Sequence, residues 1–122
     1  MQSTILIDRD RFFIEGLRRV LAETGQFTVL GVGHEEQAAL SLVNVAMPAA
    51  VLAGLNVVEQ GDPEAFVAAL RQRAPQSRLV VFADHPCEPE LSARLQSAGA
   101  CVCLSRRAEA SEILAHLAPT AG

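Results

Sequence analysis

Two groups of residues in this chain carry atoms that could do chemistry. The first is Asp8, with Arg9 and Arg106 as candidate ion-pair partners. The second is Cys101-x-Cys103, with Cys87, His85 and His34 elsewhere in the chain. Thiolates and imidazoles are zinc ligands. A lone Cys-x-Cys spacing specifies no metal, however, and buried cysteines ordinarily act as small apolar residues. No metal site is therefore expected. His85 follows Asp84 and could titrate near neutral pH, but nothing beside it completes a nucleophilic triad. The chain contains no lysine; all 10 basic side chains are arginine. Any mechanism that needs a lysine amine is excluded.

These residues need a scaffold, and the sequence describes one. Short apolar runs alternate with stretches of helical periodicity. The runs are Thr4 to Ile7, Phe27 to Val32, Ala49 to Ala53, Leu79 to Phe82 and Cys101 to Leu104. Phe13, Leu17, Val20 and Leu21 recur at helical spacing, and Gly25 closes that helix. Ala38, Ala39, Leu42 and Val43 form the next stripe, stopped by Pro48. Asp62-Pro63-Glu64 is a helix start, followed by Phe66, Val67 and Leu70. Leu91 and Leu95 mark a helix over Glu88 to Ala98, ended by Gly99. Ile113, Leu114 and Leu117 mark the last, from Ala110 to Leu117. Strands apolar on both faces belong to a parallel sheet covered on both sides. The expected fold is α/β, a five-stranded doubly wound parallel sheet with helices on both faces. One domain spans 1–118, and 119–122 reads as a tail or the start of a linker.

At 122 residues and 50% hydrophobic, the chain can bury a core without staples, mostly an aliphatic one. A net charge of -4 disfavours non-specific binding to nucleic acid or anionic membranes, so Arg18 and Arg19 read as a solvated helix face. Apolar stretches are short and broken, so no span is expected. The start shows no basic region or cleavage site of a signal peptide. Three cysteines point to a reducing cytoplasm.

In doubly wound folds ligands bind at the carboxyl ends of the strands. That edge gathers Asp8, Arg9 and Asp10; Gly33 and His34; Gly54 to Asn56; Ala83 to His85; and Ser105 to Arg107. Along this frame, Ile5-Leu6-Ile7-Asp8-Arg9-Asp10 and Phe13 to Leu21 resemble the start of a bacterial response-regulator receiver domain, the CheY-like superfamily. The resemblance is to the branch attached to LuxR-type helix-turn-helix transcription regulators. Val51 to Asn56, Arg71 to Phe82, and Ala98-Gly99-Ala100 with Leu104-Ser105-Arg106 extend it over essentially the whole chain.

The resemblance implies a phosphorylation pocket, and its residues map one by one. Asp8 stands at the first of the paired acids that hold Mg²⁺, and Arg9 replaces the second. Gly54 holds the place of the phosphoaccepting Asp at the end of the third strand. Asn56 matches an Asn frequent two residues on. Ala83 replaces the hydroxyl residue of the fourth strand, Arg106 the lysine of the fifth, and Cys103 the aromatic switch residue. Only four Asp exist, at 8, 10, 62 and 84, and none ends the third strand. The implied protein is a pseudo-receiver: a two-component regulatory domain that is not an enzyme, takes no cofactor and is not phosphorylated on aspartate. It would work through protein contacts as a weak homodimer or with another signalling protein, using Arg94, Cys103, Glu109, Glu112 and His116. It would touch DNA only through an attached domain. The alternative is a small-ligand sensor in the vacated pocket, opened by Gly54 and Ala83 beside Arg9 and Arg106. Other uses of the fold fit less well. Asp8 to Arg11 would crowd a flavin phosphate, Asp10 stands where a cobalamin domain has His, and no Gly-rich turn offers a dinucleotide site.

Overall fold

Every expected strand and helix forms, in the order the periodicity gives. The computed structural model describes residues 1–84 and 87–117. The elements are β1 (Gln2–Ile7), α1 (Arg11–Thr24), β2 (Phe27–Gly33), α2 (Glu36–Ala46), β3 (Ala50–Gly54), a short 3-10 turn (Leu55–Val57), α3 (Pro63–Arg73), β4 (Arg78–Ala83), α4 (Pro89–Ala98), β5 (Val102–Ser105) and α5 (Ala110–Leu117). All strand pairings are parallel, and the order across the sheet is β2-β1-β3-β4-β5. The chain reverses its direction of winding between β1 and β3, the place where such sheets build their sites. His85 and the tail 119–122 lie outside the described residues.

Strand alternation splits the core into two layers. Ile5, Ile7, Val51, Ala53, Leu79, Val81 and Cys103 face Ala39, Val43, Phe66, Val67, Leu70 and Leu95 of α2, α3 and α4. Leu6, Leu52, Val80, Phe82 and Leu104 face Ile14, Leu17 and Leu21 of α1, and Ile113 and Leu117 of α5. Neighbouring residues of one strand thus feed opposite layers, the physical reason the runs are unbroken rather than alternating. Ile14 is a buried anchor of α1, whereas Phe13 and Val20 of the expected stripe are only partly covered. Phe13 is instead turned toward the carboxyl edge of the sheet, where it packs on Phe82.

The ends of the elements follow their chemistry. Asp10 caps α1 by accepting from Phe12 N and Phe13 N, and Asp62 caps α3 by accepting from Glu64 N, with Pro63 in the first turn. Gly25 takes φ 69° behind α1. Arg71 secures the opposite end of the sheet by donating to the carbonyls of Gly99, Ala74, Pro75 and Ser77. No helix among the described residues is long and apolar enough to cross a membrane.

Candidate functional site

Parallel register brings the carboxyl ends of the strands into one row. Ile7 lies beside Ala53, Gly54 beside Phe82, and Ala83 beside Ser105. Asp8 follows directly on β1 and is fully buried. Its backbone is held on both sides: Asp8 N donates to Gly33 O at 3.1 Å, and His34 Nδ1 lies 2.9 Å from Asp8 O. A buried carboxylate must be paired and hydrogen-bonded, and this one is. Oδ1 accepts from Asp10 N and from Asn56 Nδ2, both at 2.8 Å. Oδ2 meets Arg106 Nη1 at 2.5 Å.

Arg106 is the hub of the site. Its side chain is 15% exposed and reaches back from the end of β5, where Arg106 N donates to Ala83 O. Besides Asp8 it contacts Asp10 Oδ2 through Nη2 at 3.3 Å and Asp84 Oδ1 through Nε at 3.4 Å. Its guanidinium carbon lies 4.4 Å from the centre of the Phe13 ring, a cation–π distance. Phe13 in turn meets Phe82 edge to face at 5.1 Å and 77°. One planar cation therefore joins three carboxylates and an aromatic face. Its fixed fork allows this where a lysine's point charge would not.

Of the six residues assigned to the pocket from sequence, five meet there: Asp8, Gly54, Asn56, Ala83 and Arg106. Arg9 does not. Its side chain turns outward to an exposed ion pair with Glu59, because Arg106 already satisfies Asp8 from the other side. Only the backbone of Arg9 serves the site, donating to Asn56 Oδ1 at 3.2 Å. The Asp8 partner is thus Arg106, and the pair is largely buried, with Asp8 fully enclosed and Arg106 15% exposed. Gly54 opens no cavity either. A Cβ built there would overlap the Asp8 carboxylate, 2.8 Å from its carbon, and stand 3.0 Å from Asn56 Oδ1. Ala83 does border free space, a groove of about 490 Å³ lined also by Leu55, Asn56, Val58, Cys87 and Leu91. Sequence reasoning overlooked the parts played by Asp10, Asp84 and Phe13. Asp10 and Asp84 lie next to the strand ends, which is a usable signal; Phe13 gave none, because it fits the helix stripe.

The remaining assignments divide in the same way. Cys103 is buried in the core, so it cannot be part of an exposed contact face. Cys101 precedes β5 and is exposed, whereas Cys103 lies on β5 and is buried. No group of three or more His, Cys, Asp or Glu suited to a metal occurs among the described residues. Arg94 pairs with Glu64 of α3 at 3.2 Å. Glu109 and Glu112 are exposed, and His116 is half-buried. A site for Mg²⁺, which the family resemblance implies, does not fit these residues. The guanidinium of Arg106 lies against Asp8, the one acid left of the expected pair, and against the neighbouring Asp10, so the oxygen ligands are already paired with a cation.

This geometry is that of a known fold. The signal receiver domain of the response regulator NarL from Mycobacterium tuberculosis superposes with a TM-score of 0.84 at 24% identity, covering 95% of this chain and 92% of that one. A LuxR-family two-component response regulator from Aurantimonas sp. gives 0.83 at 18% identity over 94% and 81%. A response regulator from Burkholderia pseudomallei, solved with a phosphorylated aspartic acid and a calcium ion, gives 0.82 at 22% identity over 97% and 67%. In sequence, the transcriptional regulatory protein DegU of Brevibacillus brevis is 31% identical over 84 residues. That match takes in 69% of this chain but only 35% of DegU, so the chain spans about a third of its curated relative. No protein-family model matches. The fold is the five-stranded CheY-like receiver fold, and the similar proteins are response-regulator receivers of the NarL and LuxR kind.

Proposed function

We infer that this receiver-fold domain is the regulatory part of an atypical response regulator that signals without aspartyl phosphorylation. The output we assign is transcriptional, by analogy with DegU, and would require a DNA-binding domain beyond the residues of this chain. The domain acts by contact with other proteins and not as an enzyme.

The observation that carries the reading is Arg106. An active receiver needs a cation bound to carboxylates, a nucleophilic Asp and room for a phosphoryl group. Here the cation is built in: Arg106 bridges Asp8, Asp10 and Asp84. The nucleophile's place is Gly54, whose Cβ space Asp8 already fills. Added Mg²⁺ would have to displace a buried, multiply bonded guanidinium, at a cost that solvent-exposed carboxylates do not impose. Self-association through α4 and α5 completes the proposal. Arg94, Glu109, Glu112 and His116 offer both charge signs for a two-fold contact; Cys103 is no longer part of that face.

The test is incubation of the chain with acetyl phosphate and Mg²⁺, followed by intact-mass measurement. No acid-labile phosphoryl adduct should form. An adduct mapped to Asp8, Asp10 or Asp84 would overturn the reading.

A further inference from the structure

A groove of about 750 Å³, larger than the one beside Ala83, opens at the same sheet edge. Three loops wall it. Arg9 and Arg11 come from the turn after β1 and the start of α1, His34, Glu35 and Glu36 from the turn into α2, and Glu59 from the loop ahead of α3. Val57 apart, every side chain lining it is polar. Both charge signs are present, and they are not all spent on each other. Arg9 pairs with Glu59, but Arg11, Glu35 and Glu36 form no ion pair among the described residues. The walls are also tied to the Asp8 site. His34 Nδ1 lies 2.9 Å from Asp8 O, Arg9 N donates to Asn56 Oδ1 at 3.2 Å, and Asn56 Nδ2 donates to Asp8 Oδ1 at 2.8 Å. All three loops thus meet at Asp8.

We propose that this groove binds a small zwitterion of the amino-acid or dipeptide class, with its carboxylate on Arg11 and its ammonium toward Glu35 and Glu36. The charges of the lining select that class. A simple anion in the groove would face Glu35 and Glu36, and a simple cation would face Arg11; like charges brought together are penalised. A molecule with one charge of each sign finds a partner at both ends. The planar guanidinium of Arg11 suits a carboxylate, which it can hold through two parallel hydrogen bonds. The pair Arg9–Glu59 is internally neutral and leaves that selection unchanged. Occupancy would reach Arg106 through His34 and Asn56, both of which touch Asp8. The binding site stands on the groove alone, whereas its role as the input that replaces phosphate rests on the proposed function.

Proton–nitrogen NMR titration of the labelled chain at low salt tests this, with glycylglycine and the common free amino acids as zwitterions. Two matched probes each lack one charge: N-acetylglycylglycine has no ammonium, and glycylglycine amide has no carboxylate. A zwitterion should shift the amides of Arg11, His34 and Glu36 saturably in the millimolar range, with smaller shifts at Asp8 and Asn56. For glycylglycine, removing either charge should weaken binding roughly tenfold, the loss of one charge-assisted contact. Arg11→Gln and Glu36→Gln should weaken the zwitterion by a similar factor, and Arg107→Gln should leave it unchanged. No saturable shift with any zwitterion would overturn the proposal, as would equal binding of glycylglycine and its acetylated form. If a variant does not fold, the matched probes on the unaltered chain decide alone. A phosphodonor assay on the same sample separates the two readings. An aspartyl adduct with zwitterion binding intact removes only the input role, and no adduct with no binding removes only this site.

Discussion

Replacing Arg106 with Met keeps the bulk of the stem and removes the charge. Asp8 is fully buried and would keep only the bonds from Asp10 N and Asn56 Nδ2. Removing one partner of a buried ion pair typically costs about 3–5 kcal/mol. The two surviving hydrogen bonds place this case at the lower end, at about 3 kcal/mol. The complementary change, Asp8→Asn, leaves Arg106 with Asp10 and Asp84, both more exposed, and should cost about 1–2 kcal/mol. The double variant should be less damaging than the sum, with a coupling of roughly 1.5–3 kcal/mol. Urea unfolding of the four proteins measures this, provided the m-value is unchanged. Arg9→Met is the control: its ion pair with Glu59 is about half exposed on each side and should cost roughly 0–0.5 kcal/mol. An Arg106→Met cost below about 1 kcal/mol, or additive single effects, would show instead that the hub is a screened surface pair.

Three further outcomes follow from the same geometry. Gly54→Asp should not restore phosphorylation and should destabilise the fold by about 1–3 kcal/mol, since its Cβ enters space held by Asp8; thermal unfolding and a phosphodonor assay check both halves. Stability should fall as pH rises from 9.0 toward about 12, because the folded state holds the Cys103 proton more tightly than the unfolded chain does; Cys103→Val should flatten that slope in urea titrations. Sedimentation over a wide concentration range should show a weak dimer insensitive to acetyl phosphate. Glu112→Arg should break it, and a strict monomer would rule out self-association as the mode of action.

The frame of the protein was legible because two periods alternate along it. Apolar runs such as Val51-Leu52-Ala53 sit between stripes such as Phe66, Val67 and Leu70, and this fixes both strand order in the chain and layer assignment. Strand ends were legible to within about two residues: Gly54 proved to be the last residue of β3 and Cys101 to precede β5. The pocket was legible as a set of positions but not as a set of directions. Arg9 and Arg106 are chemically identical in sequence, and only the sheet edge decides which one reaches Asp8. Gly54 read as removed volume, yet volume vacated by one side chain is filled by its neighbours in a close-packed site. Phe13 satisfied the helical stripe and so concealed its place over the guanidinium.

In the proposed function, Arg106 and the filled space at Gly54 leave no room for a metal and a phosphoryl group at this sheet edge. Proton–nitrogen NMR spectra of the labelled chain, taken with Mg²⁺ and then with beryllofluoride, test it most directly. The amides of Asp8, Gly54, Ala83 and Arg106 should show no saturable shift below millimolar Mg²⁺ and none on adding beryllofluoride. Saturable shifts centred on those residues, propagating into β4 and β5, would contradict it.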